Sequence, residues 1–198
     1  MLSIYRQVNN IAKISDGKRF ENAFKNSINE KHVLIKRLND NAASFGESTN
    51  TRFTSTNECD FLLFENDTRT LYGLELKTTL GSLTYWRKDF EDKRKKQSFQ
   101  IKKNQILGLE KFSQYDGGVF GFVINFRKTS ENHTFFVSIN DFLKYTNTLS
   151  KKSINIHDVL QMNPIKIENR LLRTNYWYNL EKFFQDTTCY GLRKENTL

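Results

Sequence analysis

The chain has 198 residues, 37% of them hydrophobic, with 31 Lys and Arg against 22 Asp and Glu and a formal net charge of +9. That length suits one domain with a sizeable core, and no apolar run is long enough for a helical membrane span. Two cysteines and three scattered histidines make neither a disulfide framework nor a zinc pattern, while the basic balance points to an acidic partner, nucleic acid first.

Residues 1–15 read as a polar arm without the apolar core of a signal peptide, and the expected setting is the reducing cytoplasm. Ser15 or Asp16 can cap a helix running to about residue 29, with Phe20, Phe24 and Ile28 on one stripe and Glu21 beside it. Residues 33–38 read as a strand, and 39–57, rich in Gly, Ser, Thr and Asn, as a loop or small excursion. Two apolar strand-length runs follow, Cys59 to Phe64 and Leu71 to Leu76, separated by the turn-forming Asn66-Asp67-Thr68-Arg69. Residues 78–99 form an extended, highly charged segment, and 102–115 a helix with Ile106, Leu109 and Phe112 on one side. Asp116-Gly117-Gly118 ends that helix, and the almost wholly apolar 119–126 reads as a central strand covered on both faces. A further strand at 134–139 leads into a short helix from Asn140 or Asp141, and 154–162 and 176–184 read as flanking helices. The expected class is α/β: a central mixed β-sheet flanked by helices, with residues 146–198 as a helical flank of the same domain.

The two runs around the turn carry the chemistry. A turn centred on Asp67-Thr68 pairs Phe64 with Leu71 and Leu62 with Gly73, which sets Asp60 opposite Glu75. Residues directly opposed on one sheet face have Cβ atoms about 4.5–5.5 Å apart. Glu75 and Lys77 share one face of their strand, so two carboxylates and one lysine converge, and Cys59 falls on the other face as a small core residue. Magnesium takes hard oxygen ligands, and one or two carboxylates plus substrate phosphate are its usual protein site. Asp60, Glu75 and the Leu76 carbonyl are the candidate ligands for Mg2+, with Mn2+ the alternative, and Lys77 can position an attacking water or stabilise the crowded phosphorus. Asp/Glu-x-Lys alone is a weak pattern, repeated here at Asp16-Gly17-Lys18 and Glu91-Asp92-Lys93; the apolar strand and the facing carboxylate set Glu75-Leu76-Lys77 apart.

Asp on one strand and Glu-x-Lys on the next resembles the PD-(D/E)xK nuclease core, a restriction-endonuclease-like fold. The succession Gly73-Leu74-Glu75-Leu76-Lys77-Thr78-Thr79, Phe99-Gln100-Ile101-Lys102-Lys103-Asn104-Gln105-Ile106 and Gly117-Gly118 resembles, more narrowly, the RecU-type Holliday junction resolvases. Ser55-Thr56 ahead of Asp60 and Gly17-Lys18-Arg19-Phe20-Glu21 in the first helix add to it, and the similarity runs from about residue 16 to 145. The resemblance implies a homodimeric, magnesium-dependent endonuclease that places paired nicks in branched, four-way DNA during recombination and repair. It makes Asp60 and Glu75 metal ligands, Lys77 the catalytic lysine, Glu21 an accessory carboxylate and Gln105 a polar helix residue facing the site. Without it, Glu21 reads equally as a first-turn acid favoured by the helix dipole, and Gln105 as a surface glutamine.

The chain departs from that pattern in two places. The stretch between Glu21 and Asp60 is shorter than in stalk-bearing members and holds no proline, while the basic insertion at about 79–100 is longer. There Tyr85, Trp86 and Phe90 interleave with Arg87, Lys88, Lys93, Arg94, Lys95 and Lys96, which can grip DNA strands by phosphate neutralisation and base stacking. The competing reading is a charged helix with its aromatics turned inward, supported by Asp89-Glu91-Asp92. Lys102 and Lys103, at the start of the next helix, are placed for backbone contacts. Two other functions stay open: a sequence-specific restriction-type endonuclease, and a junction-binding protein that does not cut. Neither a membrane nor a small-molecule substrate is expected.

Overall fold

The computed structural model describes residues 14–38, 57–90, 98–128 and 131–195. In chain order the elements are α1 (Asp16–Asn26), β1 (Val33–Arg37), β2 (Phe61–Glu65), β3 (Thr70–Thr79), β4 (Ser82–Thr84), a 3-10 turn at Lys88–Phe90, α2 (Lys103–Phe112), β5 (Gly118–Arg127) and β6 (Asn132–Ser138). They continue with α3 (Ile139–Thr146), β7 (Ser153–Asn155), α4 (Ile156–Leu160), β8 (Ile165–Ile167), β9 (Asn169–Leu171), β10 (Tyr176–Tyr178) and α5 (Leu180–Glu195). The central sheet is six-stranded and mixed, in the order β1-β2-β3-β5-β6-β8, with helices packed on it. Among the described residues, no helix is long and apolar enough to cross a membrane.

The β2–β3 hairpin sets the frame. Glu65, the last residue of β2, is buried and turns its carboxylate onto the connection, accepting the Asp67 N–H at 3.0 Å and the Thr68 N–H at 2.7 Å. Burial pushes this carboxyl up, but these bonds and the one from the Thr68 hydroxyl outweigh it and hold it below the usual range. Arg69 closes the turn at φ 55°. The resulting register pairs Phe61 with Leu74, Leu62 with Gly73 and Phe64 with Leu71, as the sequence predicts. Since side chains alternate with period two, this turn decides which face each residue of β3 occupies.

β3 and β5 are parallel neighbours, so the chain between them must cross one face of the sheet. That crossover contains β4, the 3-10 turn and α2, whose Ile106 and Leu109 pack on Phe120, Phe122 and Ile124 of β5, joined by Phe142 of α3. The opposite face carries the second core: Phe20 and Phe24 of α1 and Phe183 and Phe184 of α5 against Tyr72 and Leu74 of β3. β5 is apolar on both faces because both are covered, with only Asn125 as a buried polar exception held by Asn132 and Thr134.

Several elements differ from expectation. α1 starts on its Ser15 cap but stops at Asn26, where the Ser27 hydroxyl donates to the Ala23 carbonyl and accepts the Tyr178 N–H, tying the helix end to β10. The predicted helix over 154–162 is β7 followed by the single turn of α4, because Ile154 is claimed by pairing with Leu83 of β4. The predicted helix over 176–184 opens instead as strand β10, whose Tyr-Trp-Tyr run pairs with β9; Asn179 then accepts the Lys182 N–H and starts α5. Residues 146–198 are more than a helical flank, since β8 pairs with β6 and completes the central sheet. The loop assigned to 39–57 lies outside the described residues except for Asn57.

Candidate active site

Asp60 sits at the mouth of β2, one residue before the last ladder pair, Phe61–Leu74, and it is held against β3 through Leu74 and Leu76, the residues on either side of Glu75. Three hydrogen bonds pin it: its N–H to the Leu74 carbonyl at 3.1 Å, its carbonyl to the Leu38 N–H at 2.8 Å, and its Oδ2 to the Leu76 N–H at 2.8 Å. Its Oδ1 has no hydrogen-bond partner among the described residues. Glu75 is only 3% exposed, and its Oε1 takes the Lys77 ammonium at 2.8 Å and the Gln105 amide at 2.5 Å. Gln105 does two jobs: its carbonyl oxygen accepts the Lys102 N–H at 2.9 Å at the head of α2, and its NH2 is thereby aimed at Glu75. A glutamate would lack the donor for the second contact, which is why an amide suits this position.

Glu21 approaches from α1. Its Oε2 accepts Arg37 Nη2 at 2.6 Å, Arg37 Nε at 3.1 Å and Lys18 Nζ at 3.2 Å. It lies in the second turn of α1, not the first, so the helix dipole does not account for it. The fold thus brings Asp60, Glu75, Lys77, Gln105 and Glu21 to one end of the β1–β2–β3 strands. Arg37, the last residue of β1, joins them and was missed by sequence reading. Its signal is a basic residue closing the strand that pairs with β2.

Burial pushes the Asp60 carboxyl up to about 6 from 3.8; the Leu76 N–H, Lys77 and Arg37 oppose the shift and Glu21 adds to it. The raised value means that the native state holds this proton more tightly than the unfolded chain. Stability therefore falls as pH rises through the window from about 4 to about 6, and the full penalty stands at pH 7. In EDTA at pH 7, Asp60→Asn is expected to melt above the parent by about 1–3 kcal/mol of stability. The gap should narrow as pH drops toward 4; equal melting at pH 7 would contradict the assigned burial. Cys59, expected on the face opposite Asp60, instead packs 1% exposed in the core under α2, because that side of the sheet closes around it; its thiol is pushed up to about 12 by burial first and then by Glu75, Asp60 and Glu58. It is an inert core residue.

The basic insertion divides. Tyr85 is fully buried, its ring against Phe90 and Phe142 and its hydroxyl donating to the Lys151 carbonyl at 2.9 Å, so it offers no face to a base. Arg87 forks onto Asp89 at 2.6 and 2.7 Å and donates to the Leu149 carbonyl at 2.8 Å and to the Thr146 carbonyl, clipping the segment to the end of α3. Its guanidinium also lies 4.1 Å from the centre of the buried Phe90 ring. The inward-facing reading therefore holds for Tyr85 and Phe90, although through a short strand and a 3-10 turn in place of the charged helix. Trp86 is half-buried with Lys103 Nζ 4.8 Å from its ring centre, and Lys102 and Lys103 stand exposed beside Gln105, bordering the carboxylates. Lys88 is exposed on the 3-10 turn, and Lys93, Arg94, Lys95 and Lys96 lie outside the described residues.

Among the described residues, no group of three or more His, Cys, Asp and Glu side chains is gathered as a metal cage. The donor set is smaller: Asp60, Glu75 and the Leu76 carbonyl, whose own N–H already faces Asp60. Two carboxylates and a carbonyl are hard oxygen donors of the kind that suits magnesium, which keeps several of its waters. The upward shift of Asp60 comes first from its burial, with the Leu76 N–H, Lys77 and Arg37 opposing it, and a bound divalent cation would favour the charged carboxylate there.

No protein-family model matches the chain. Over 141 residues, 70% of its length, it is 31% identical to a curated protein of Bacillus subtilis strain 168 described as SPbeta prophage-derived uncharacterized protein YotM. The chain spans 63% of that relative's length.

Proposed function

We propose that this protein is a magnesium-dependent DNA endonuclease of the PD-(D/E)xK type that cleaves four-way junctions in recombination and repair, like the RecU-type resolvases. The observation that supports the reading is Asp60 bonded to Leu74 and Leu76, on either side of Glu75, with the Lys77 ammonium on the Glu75 carboxylate at 2.8 Å. A pure DNA binder gains little from two carboxylates presented to phosphate, and the net charge of +9 supplies the attraction that brings the strand to them.

Asp60, Glu75 and the Leu76 carbonyl would hold the ion, which when bound supplies Lewis-acid stabilisation of the phosphate and lowers the pKa of a coordinated water. Lys77 lies on the same face as Glu75 and orients the attacking water, then offsets the negative charge that builds up on the phosphorus oxygens. Gln105 keeps Glu75 from turning away, and Glu21 holds Arg37 beside Asp60, where its guanidinium can meet a phosphate. Lys102 and Lys103 border this face and can take the neighbouring backbone. Paired nicks in a two-fold junction call for a two-fold protein, so the functional form in this reading is a homodimer. The relative's prophage origin supports a phage-encoded setting.

The test offers the protein an end-labelled four-way junction, the same arms as linear duplex, and single strand, all in magnesium. Symmetric nicks on the junction, with linear duplex left intact, are expected. Cutting of linear duplex at a fixed sequence would replace junction resolution with a restriction-type activity, and binding without cutting would leave an architectural role.

A further inference from the structure

The segment that delivers Asp60 is held by α2 at two points outside the carboxylate site. Asn104 Nδ2 donates to the Asn57 carbonyl at 2.8 Å. One turn along, Gly108 lies under Glu58: a Cβ added there would fall 2.2 Å from Glu58 Cγ, 2.4 Å from its Cβ and 3.4 Å from its Cα. Real Cβ atoms do not come within 2.4 Å of a non-bonded heavy atom, and the two atoms in the way, Glu58 Cβ and Cγ, are the root of that side chain, while its Cα stays at ordinary contact distance. Glycine is a poor choice for the interior of a ten-residue helix, where alanine forms helix best, so helix formation does not explain its presence. Close passage of the 57–59 backbone does. Between these two anchors stands Gln105, which holds Glu75.

We infer that Asn104 and Gly108 are positioning residues for the Asp60 carboxylate, so that α2 sets the spacing between Asp60 and Glu75 from one helix face. The inference rests on the metal-dependent reading above and adds the device that fixes its geometry. Asp60 follows Glu58 by two residues and is tied to β3 through its own N–H and Oδ2. A shift forced on Glu58 therefore either breaks those ties or carries Asp60 with it. Groups that orient metal ligands commonly matter 10- to 100-fold, roughly, in metal affinity.

The test compares the parent with Asn104→Ala, Gly108→Ala and the double variant Gly108→Ala/Glu58→Gly, the last removing the atoms a new Cβ would strike. Three quantities are read: melting in EDTA, the magnesium concentration that half-saturates the rise in melting temperature without DNA, and native-state alkylation of Cys59 mapped by peptide mass. Both single variants are expected to fold, to need about 10- to 100-fold more magnesium, and to label at Cys59 about tenfold faster as the segment opens. The double variant should regain the parent's magnesium response. Parent-like magnesium response and Cys59 labelling in both single variants would overturn the inference while leaving the metal site standing. A lower melting temperature with an unchanged magnesium response would also overturn it, as plain packing. Should Gly108→Ala fail to fold, Asn104→Ala carries the comparison. A parent with no magnesium response would overturn the metal reading and this inference together.

Discussion

Glu75→Gln is expected to lower phosphodiester cleavage by at least about a thousand-fold, because it removes a carboxylate that would hold the magnesium offsetting the negative charge that builds up on phosphate. The amide keeps the volume of the side chain, and its carbonyl oxygen can still accept from Gln105 and Lys77, so melting in EDTA should stay close to the parent. DNA binding should persist in calcium or EDTA, since the basic residues bordering the site are untouched. Rate and binding must be measured on the same preparation. A variant that binds and melts like the parent yet cuts at a comparable rate would remove Glu75 from the chemistry. Lys77→Ala should likewise lose rate while keeping binding.

Tyr85→Ala should cost about 3–5 kcal/mol of stability, the usual range for deleting a fully buried aromatic. In a chain of 198 residues that corresponds to a fall in melting temperature of roughly 6–20 °C. The ring fills the space between Phe90 and Phe142, and the hydroxyl satisfies the Lys151 carbonyl, so the loss combines a cavity with a freed acceptor. Tyr85→Phe, which keeps the ring, should cost only about 1 kcal/mol. Calorimetric melting beside single-strand affinity separates this from a base-stacking role. A stacking platform would lose about 1–3 kcal/mol of affinity on truncation with its melting temperature unmoved.

The parts legible in the sequence are those fixed by local rules. The hairpin could be read because period-two alternation and a four-residue turn leave one sensible register, and Glu65 enforces it by capping that turn. α1 was legible from the Ser15 cap and the Phe20, Phe24, Ile28 stripe, and β5 from its unbroken apolar run. What escaped depends on partners distant in the chain. Tyr85 sits in a charged stretch that reads as surface, and only Phe142, 57 positions later, makes its position core. β7 to β10 are three residues each, too short for periodicity to show, and they exist because β4, β6 and one another offer pairing edges. Within the candidate site, the shared face of Glu75 and Lys77 follows from strand alternation, while Asp60 lies just past the ladder and is held by Leu74 and Leu76. Arg37 shows only as a basic residue closing a strand, and Asn104 and Gly108 have no local signature, since the meaning of all three comes from Glu21, Asn57 and Glu58 across the fold.

The chemistry proposed for the Asp60–Glu75–Lys77 face is hydrolysis of a phosphodiester with magnesium. It is tested most directly by a time course of the parent protein on end-labelled four-way junction in magnesium and, in parallel, in EDTA. Discrete nicked products accumulating in magnesium alone are expected. Junction that is bound in both conditions and remains intact in magnesium and in manganese would contradict that chemistry.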